Sequence, residues 1–167
     1  MTPETAPDLI QMLTESQREL DEAAAGFTEA EAAATPQAGG WSALQCVEHV
    51  IFVEERFLGR IAAAAPSNTP SPNRTSELTA RLSDREARAQ APEPVQPKGR
   101  FTTMADALAA FHNVRVRTLD LARQRAGDLS KLELDHPRFG KMDGVGMMVV
   151  IAGHCRRHAE QIRTLRK

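Results

Sequence analysis

The chain has 167 residues, enough for one domain with a real core and too few for two comfortable ones. Apolar residues make up 41% and charged residues 26%, the balance of a globular rather than a disordered chain, and no apolar run approaches the ~18 residues of a membrane span. A formal net charge of −1, no Tyr and a single Trp supply neither the field nor the stacking rings that nucleic-acid binding uses.

The opening MTPETAPDLI lacks a basic segment followed by an apolar one, so a cytoplasmic protein without a secretory signal is expected. Thr5-Ala6-Pro7-Asp8 reads as a helix entry, with Pro early and an acid in the first turn. The first helix carries Leu9, Met12, Leu13, Leu20, Ala24 and Phe27 at helical spacing and stops near Gly26. A short piece over Thr28 to Ala34 precedes a loop, Thr35 to Gly40, marked by Pro and Gly.

Ser42 and Gln45 form a capping box for the second helix, and Trp41 is placed to pack on Cys46 as a staple. This helix runs to about Ala65, before Pro66, and its first half is apolar nearly all round, which predicts a central position. His49 lies in that apolar run and needs a partner for its ring nitrogens. Residues 66–100 read as a long crossover strapped over the surface. It contains a short polar helix, Ser76 to Ala89, and closes on a stiff, extended, Pro-rich stretch, Ala91 to Pro97.

Thr103 with Asp106 caps the third helix, which continues through Phe111 and Leu121 to Gly127. In the link that follows, His136-Pro137-Arg138-Phe139-Gly140 predicts a turn that lays Phe139 on the bundle; no strand is expected anywhere. Asp143 caps the fourth helix, whose apolar stripe is Met148, Ile151, Ala152, Cys155, Ala159 and Ile162. Four helices with one long crossover predict an all-α four-helix bundle, a single domain over 1–167, with inward side chains available for a metal site.

His154 and His158 stand four residues apart on the last helix, so both rings share one face at the margin of the stripe, about 6 Å apart in rise. With His49 they are the histidines of the two most apolar helices. A three-imidazole site would suit Zn, Ni, Fe or Co and leave a coordination position open. The competing reading is that these are satisfied core or surface histidines. If they do bind an ion, binding should weaken below about pH 6, because free imidazole titrates near 6.5.

The other candidates are weaker. The run His154-Cys155-Arg156-Arg157-His158 has Cys where a zincin has its general-base Glu, which excludes a metalloprotease of that type. Gln161 lies on the histidine side and is the candidate to orient a ligand, whereas Glu160 is expected to face solvent. Glu54 and Glu55 are expected to be solvated, His136 structural and His112 on the surface. Cys155 points to the core side of its helix and, like Cys46, is expected to be a reduced buried thiol. The Arg-rich tail, Arg156 to Lys167, complements the helix dipole.

Trp41-Ser42 opening the helix of His49, Ala91-Pro92-Glu93 with Pro97-Lys98-Gly99, the segment His136 to Gly140, and the run His154 to Ile162 together resemble the DinB/YfiT-like superfamily. The resemblance spans about residues 8–166. It implies an up-down-down-up four-helix bundle, often a homodimer, with a long crossover between the second and third helices. It also implies a divalent-metal triad at His49, His154 and His158. Members of the group include thiol-dependent S-transferases that use a low-molecular-weight thiol, and metal-dependent hydrolases. The resemblance therefore favours a metal-dependent enzyme of the thiol S-transferase type acting on a small molecule, with a hydrolase as the alternative. A non-catalytic, stress-related binding protein with a structural metal is the competing class. The three histidines are candidate metal ligands, and the sequence marks no catalytic residue besides the ion they would hold.

Overall fold

The structure, a computed structural model, describes residues 6–69, 71–84 and 90–166, with side chains from residue 9 onward. The first helix, α1, spans Ala6–Ala24; the cap expected at Thr5 lies outside the described residues. Thr28 and Glu31 cap each other at the start of the short α2, Glu29–Ala33. The box expected at Ser42 and Gln45 is formed at α3, Ala43–Ala63. That helix ends two residues sooner than its apolar pattern implied, because Ala64 is already extended ahead of Pro66.

In the crossover, α4 spans Thr75–Ser83 and stops at an extended Asp84, short of the end expected at Ala89; residues 85–89 lie outside the described residues. The crossover is more than a surface strap. Leu78 is fully buried, and a methyl group added at Gly153 would fall 2.7 Å from Leu82 Cδ1, so α4 packs tightly on the last helix. The Pro-rich closing stretch, expected to be extended, contains one 3₁₀ turn at Glu93–Val95. Thr103 accepts from the Asp106 amide to cap α5, Met104–Gln124.

The link between α5 and the last helix departs further from expectation. It holds a 3₁₀ turn at Leu129–Lys131 and a two-stranded antiparallel hairpin, β1 Leu134–His136 with β2 Gly140–Met142. Gly140 takes φ +75°, a conformation that only Gly adopts freely, at the start of the return strand. Strands of three residues are too short for alternation to show in a sequence. The expected burial of Phe139 on the bundle is observed. Asp143 then caps α6, Gly144–Thr164, through its bond to the Gly146 amide.

The directions of the four long helices follow from the contacts that cross them. Ser16 and Ala23 of α1 face Cys155 and Arg166, so α1 and α6 run parallel. Leu13 meets Arg115 while Asp21 meets His112, so α5 opposes α1. Glu54 meets Arg115 while Ile61 meets Arg125, so α3 parallels α5. The result is an up-down-down-up four-helix bundle.

Two apolar clusters fill it, one around Leu13, Phe57, Leu132 and Met148, the other around Leu20, Cys46, Phe111 and Cys155. Along α1 and α5 a polar layer falls where one cluster gives way to the other. Arg115, wholly buried, makes a two-point pair with Glu54 at 2.7 and 2.8 Å and also donates to Ser16 and to the Leu13 carbonyl. Thr118 donates to the same carboxylate at 2.7 Å. Every charged atom of this layer therefore has a partner, which a buried ion pair requires. Glu54 was expected in solvent and is instead the anion of the core; nothing in its own segment announces the arginine that meets it from α5.

Candidate metal centre

The three histidines converge. His49 reaches inward from the buried first half of α3, and His154 and His158 project from one face of α6, which runs antiparallel to it. The ring centroids lie 4.9 Å (His49–His154), 4.8 Å (His49–His158) and 4.5 Å (His154–His158) apart. One ring nitrogen from each falls within 4.8 Å of the other two, and the Nε2 atoms of His49 and His154 are 3.0 Å apart. His49 and His158 are buried, at 5% and 8% exposure, and His154 is half-buried.

The outer nitrogens of two of the rings face acceptor oxygens. His49 Nδ1 lies 2.6 Å from the Val95 carbonyl and His158 Nδ1 lies 2.8 Å from Gln161 Oε1. A proton is therefore required on each Nδ1, which leaves each Nε2 with a lone pair on the inner side. Burial keeps these rings neutral. It lowers the pKa of His49, takes His154 well below the ordinary value of 6.5, with the charges of His158 and His49 adding to the effect, and takes His158 to about 3. Trp41 closes one side, its ring 4.6 Å from that of His49 and stacked 6.1 Å from that of His158. Expected as a helix staple, Trp41 is found walling the site, an arrangement that apolar spacing does not reveal.

This donor set fits a divalent ion. Metal–nitrogen bonds of about 2.0–2.1 Å place tetrahedral ligands about 3.3 Å apart. The spacings here, from 3.0 Å to within 4.8 Å, bracket that separation. Among the described residues no fourth His, Cys, Asp or Glu joins the group.

The remaining candidates lie elsewhere. Glu54 is committed to Arg115, and Glu55 lies at the surface, 3.6 Å from Arg100. Glu160 is partly exposed and pairs with Arg163. His136 is structural: its ring lies between those of Phe57 and Phe139, and its Nδ1 accepts the amides of Arg138 and Phe139. Burial foremost, then nearby arginines, lowers its pKa to about 4. His112 lies at the surface but is partly buried and pairs with Asp21 at 2.8 Å. Cys155 turns away from the rings and donates to the Ser16 carbonyl, and burial raises its pKa to about 11 and that of Cys46 to about 12. Both are thus unreactive thiols at neutral pH.

Two contributors escaped the sequence reading. The Val95 carbonyl belongs to the backbone and leaves no trace in residue type. Glu48 did leave one, a carboxylate inside an otherwise apolar helix. It is 1% exposed, and it accepts the amides of Lys98 at 3.0 Å, Gly99 at 3.3 Å and Arg100 at 2.9 Å.

An up-down-down-up bundle with a three-histidine cluster between its second and last long helices defines a candidate class of helical metalloproteins. A family model for the DinB superfamily matches residues 12–162, and the chain belongs to that superfamily. Two solved structures share its fold. One is TT2238, a four-helix bundle protein, at 18% identity, covering 95% of this chain and 98% of that one with a TM-score of 0.62. The other is YfiT from Bacillus subtilis, described as a probable metal-dependent hydrolase with an unusual four-helix bundle topology. It is 17% identical and covers 99% of this chain and 87% of that one, with a TM-score of 0.63. No curated protein matches the chain in sequence. No helix among the described residues is long and apolar enough to cross a membrane.

Proposed function

We propose that this protein is a divalent-metal-dependent enzyme in which His49, His154 and His158 hold the ion and at least one coordination position is left to a small-molecule substrate. The observation that carries the reading is the convergence of three neutral ring nitrogens, two of them with their outer N–H groups fixed by Val95 and Gln161. Three protein ligands are the set of a catalytic ion rather than a structural one. When bound, a divalent ion supplies Lewis acidity, which makes water or a thiol that it touches easier to deprotonate near neutral pH. The protein's own part is to hold His49 and His158 in one tautomer, keep the three rings unprotonated, and screen one flank with Trp41.

Thiol-dependent S-transfer, with a low-molecular-weight thiol as co-substrate and an electrophilic carbon as acceptor, is the first reading, supported by the resemblance of the sequence motifs. A hydrolase is the second, supported by the description of the YfiT structure. A homodimer belongs to the same reading. Metal analysis of the purified protein followed by turnover assays tests it, with electrophiles offered alongside a panel of thiols and, separately, activated esters and amides. One ion per chain and a turnover abolished by chelator and restored by the ion are expected. An ion bound with a fourth protein ligand and no turnover would replace the enzyme with a metal-stabilised binding protein.

A further inference from the structure

Two consecutive residues of α3 grip the same short piece of the crossover. His49 holds the Val95 carbonyl through Nδ1 at 2.6 Å, and Glu48 holds the amides of residues 98–100 through both carboxylate oxygens. A carboxylate this deeply buried is costly unless its oxygens are filled, and three N–H donors fill them. The chain between the two anchor points is short and stiff. Val95 ends a 3₁₀ turn, Gln96 is extended (φ −69°, ψ 145°), and Pro97 has its φ fixed by its ring. Gln96 also ties back to the Ala91 carbonyl at 2.8 Å. Gly99 takes φ +76°, which lets three successive amides turn toward one anion. Displacing residues 98–100 would thus displace Val95.

We propose that Glu48 is a positioning residue for the metal centre. By anchoring the amides of Lys98, Gly99 and Arg100 it keeps the Val95 carbonyl on His49 Nδ1, and so keeps the His49 Nε2 lone pair directed at His154 and His158. The inference rests on the three-histidine reading for its metal-binding consequence. The tautomer of His49 is a property of the metal-free chain and does not depend on that reading. A carboxylate that merely stabilised the fold would leave the tautomer alone.

The test compares wild type with Glu48→Gln, which keeps the shape and removes the charge. In metal-free protein, nitrogen–proton NMR of the imidazoles should show wild-type His49 wholly as the Nδ1–H form and the variant with the Nε2–H form populated. Zinc affinity, measured by competition with a chromophoric chelator, should fall about 10–100-fold, the usual effect of losing a group that orients a metal ligand. Gly99→Ala perturbs the strap from the other side. Beyond its own chain neighbours no atom lies within 4 Å of the added methyl, so the change acts through backbone strain at positive φ, and the same two shifts are expected in smaller degree. Should Glu48→Gln fail to fold, Gly99→Ala decides the question. A His49 tautomer and a zinc affinity unchanged within about twofold in the folded variants would overturn the proposal. If wild type binds neither zinc nor nickel, iron or cobalt, the proposed function falls, and the tautomer measurement still decides the role of Glu48.

Discussion

His158 and Gln161 stand three residues apart on α6, with the Nδ1 of one 2.8 Å from the Oε1 of the other. The contact is local to a single helical turn, so it costs little conformational entropy and survives small movements of the bundle. Replacing Gln161 by Leu removes the acceptor and should weaken metal binding about 10-fold or more, with Gln161→Glu, which still accepts, retaining affinity. Chelator competition measures both. Equal affinity in Gln161→Leu and wild type would show that the contact does not orient the ring.

Truncating a ligand separates site from fold. His154 is half-buried and its α6 neighbours carry the apolar stripe, so His154→Ala should abolish stoichiometric zinc while leaving the helical circular dichroism within about 10% of wild type. Loss of both together would make the ion a structural staple.

Acid should destabilise the metal-free protein earlier than carboxylate titration explains. Burial holds His158 down to about 3 and His136 down to about 4, against an ordinary 6.5. Between those values the unfolded chain takes up protons that the folded chain refuses. Stability is therefore complete above about pH 6.5 and declines as pH falls toward the folded values. Urea midpoints in the presence of chelator should drop between about pH 7 and pH 5, where few carboxylates titrate; identical midpoints would contradict the burial of these rings. The same depression means that protons compete poorly for the ligand nitrogens. Zinc should be retained below the pH of about 6 anticipated from free imidazole.

The Arg115–Glu54 pair makes a prediction remote from the metal. Arg115→Met strands a buried carboxylate and should cost about 3–5 kcal/mol, whereas combining it with Glu54→Leu should recover much of the loss. Urea denaturation of the two variants and wild type reads the difference. Additive losses would mean that the two residues do not act as a pair.

The extent to which the sequence anticipated the molecule follows the range of each interaction. Helix starts at Ser42, Thr103 and Asp143 depend on residues three apart and were legible at once. The position of His154 and His158 on one face followed from helical period alone. Their convergence with His49 followed from its place in a helix that had to be central, together with the family resemblance. What stayed hidden needs partners distant in the chain. Glu54 looked like a surface acid because Arg115 lies 61 residues away, and Val95 looked like strap because a carbonyl has no residue type. The hairpin escaped because two three-residue strands carry almost no periodic signal, and only Phe139, an apolar residue between turn formers, marked it.

The two α6 nitrogens and His49 are separated by about a hundred residues of chain, and the bundle directions place α3 and α6 antiparallel at that point. An ion shared among them would fasten the second long helix to the last, closing a very long loop with a single clasp. Such a clasp restricts the denatured ensemble as a cross-link does. A loaded chain can fray at its termini or shed its hairpin, but it must break a metal–nitrogen bond before α3 and α6 can part.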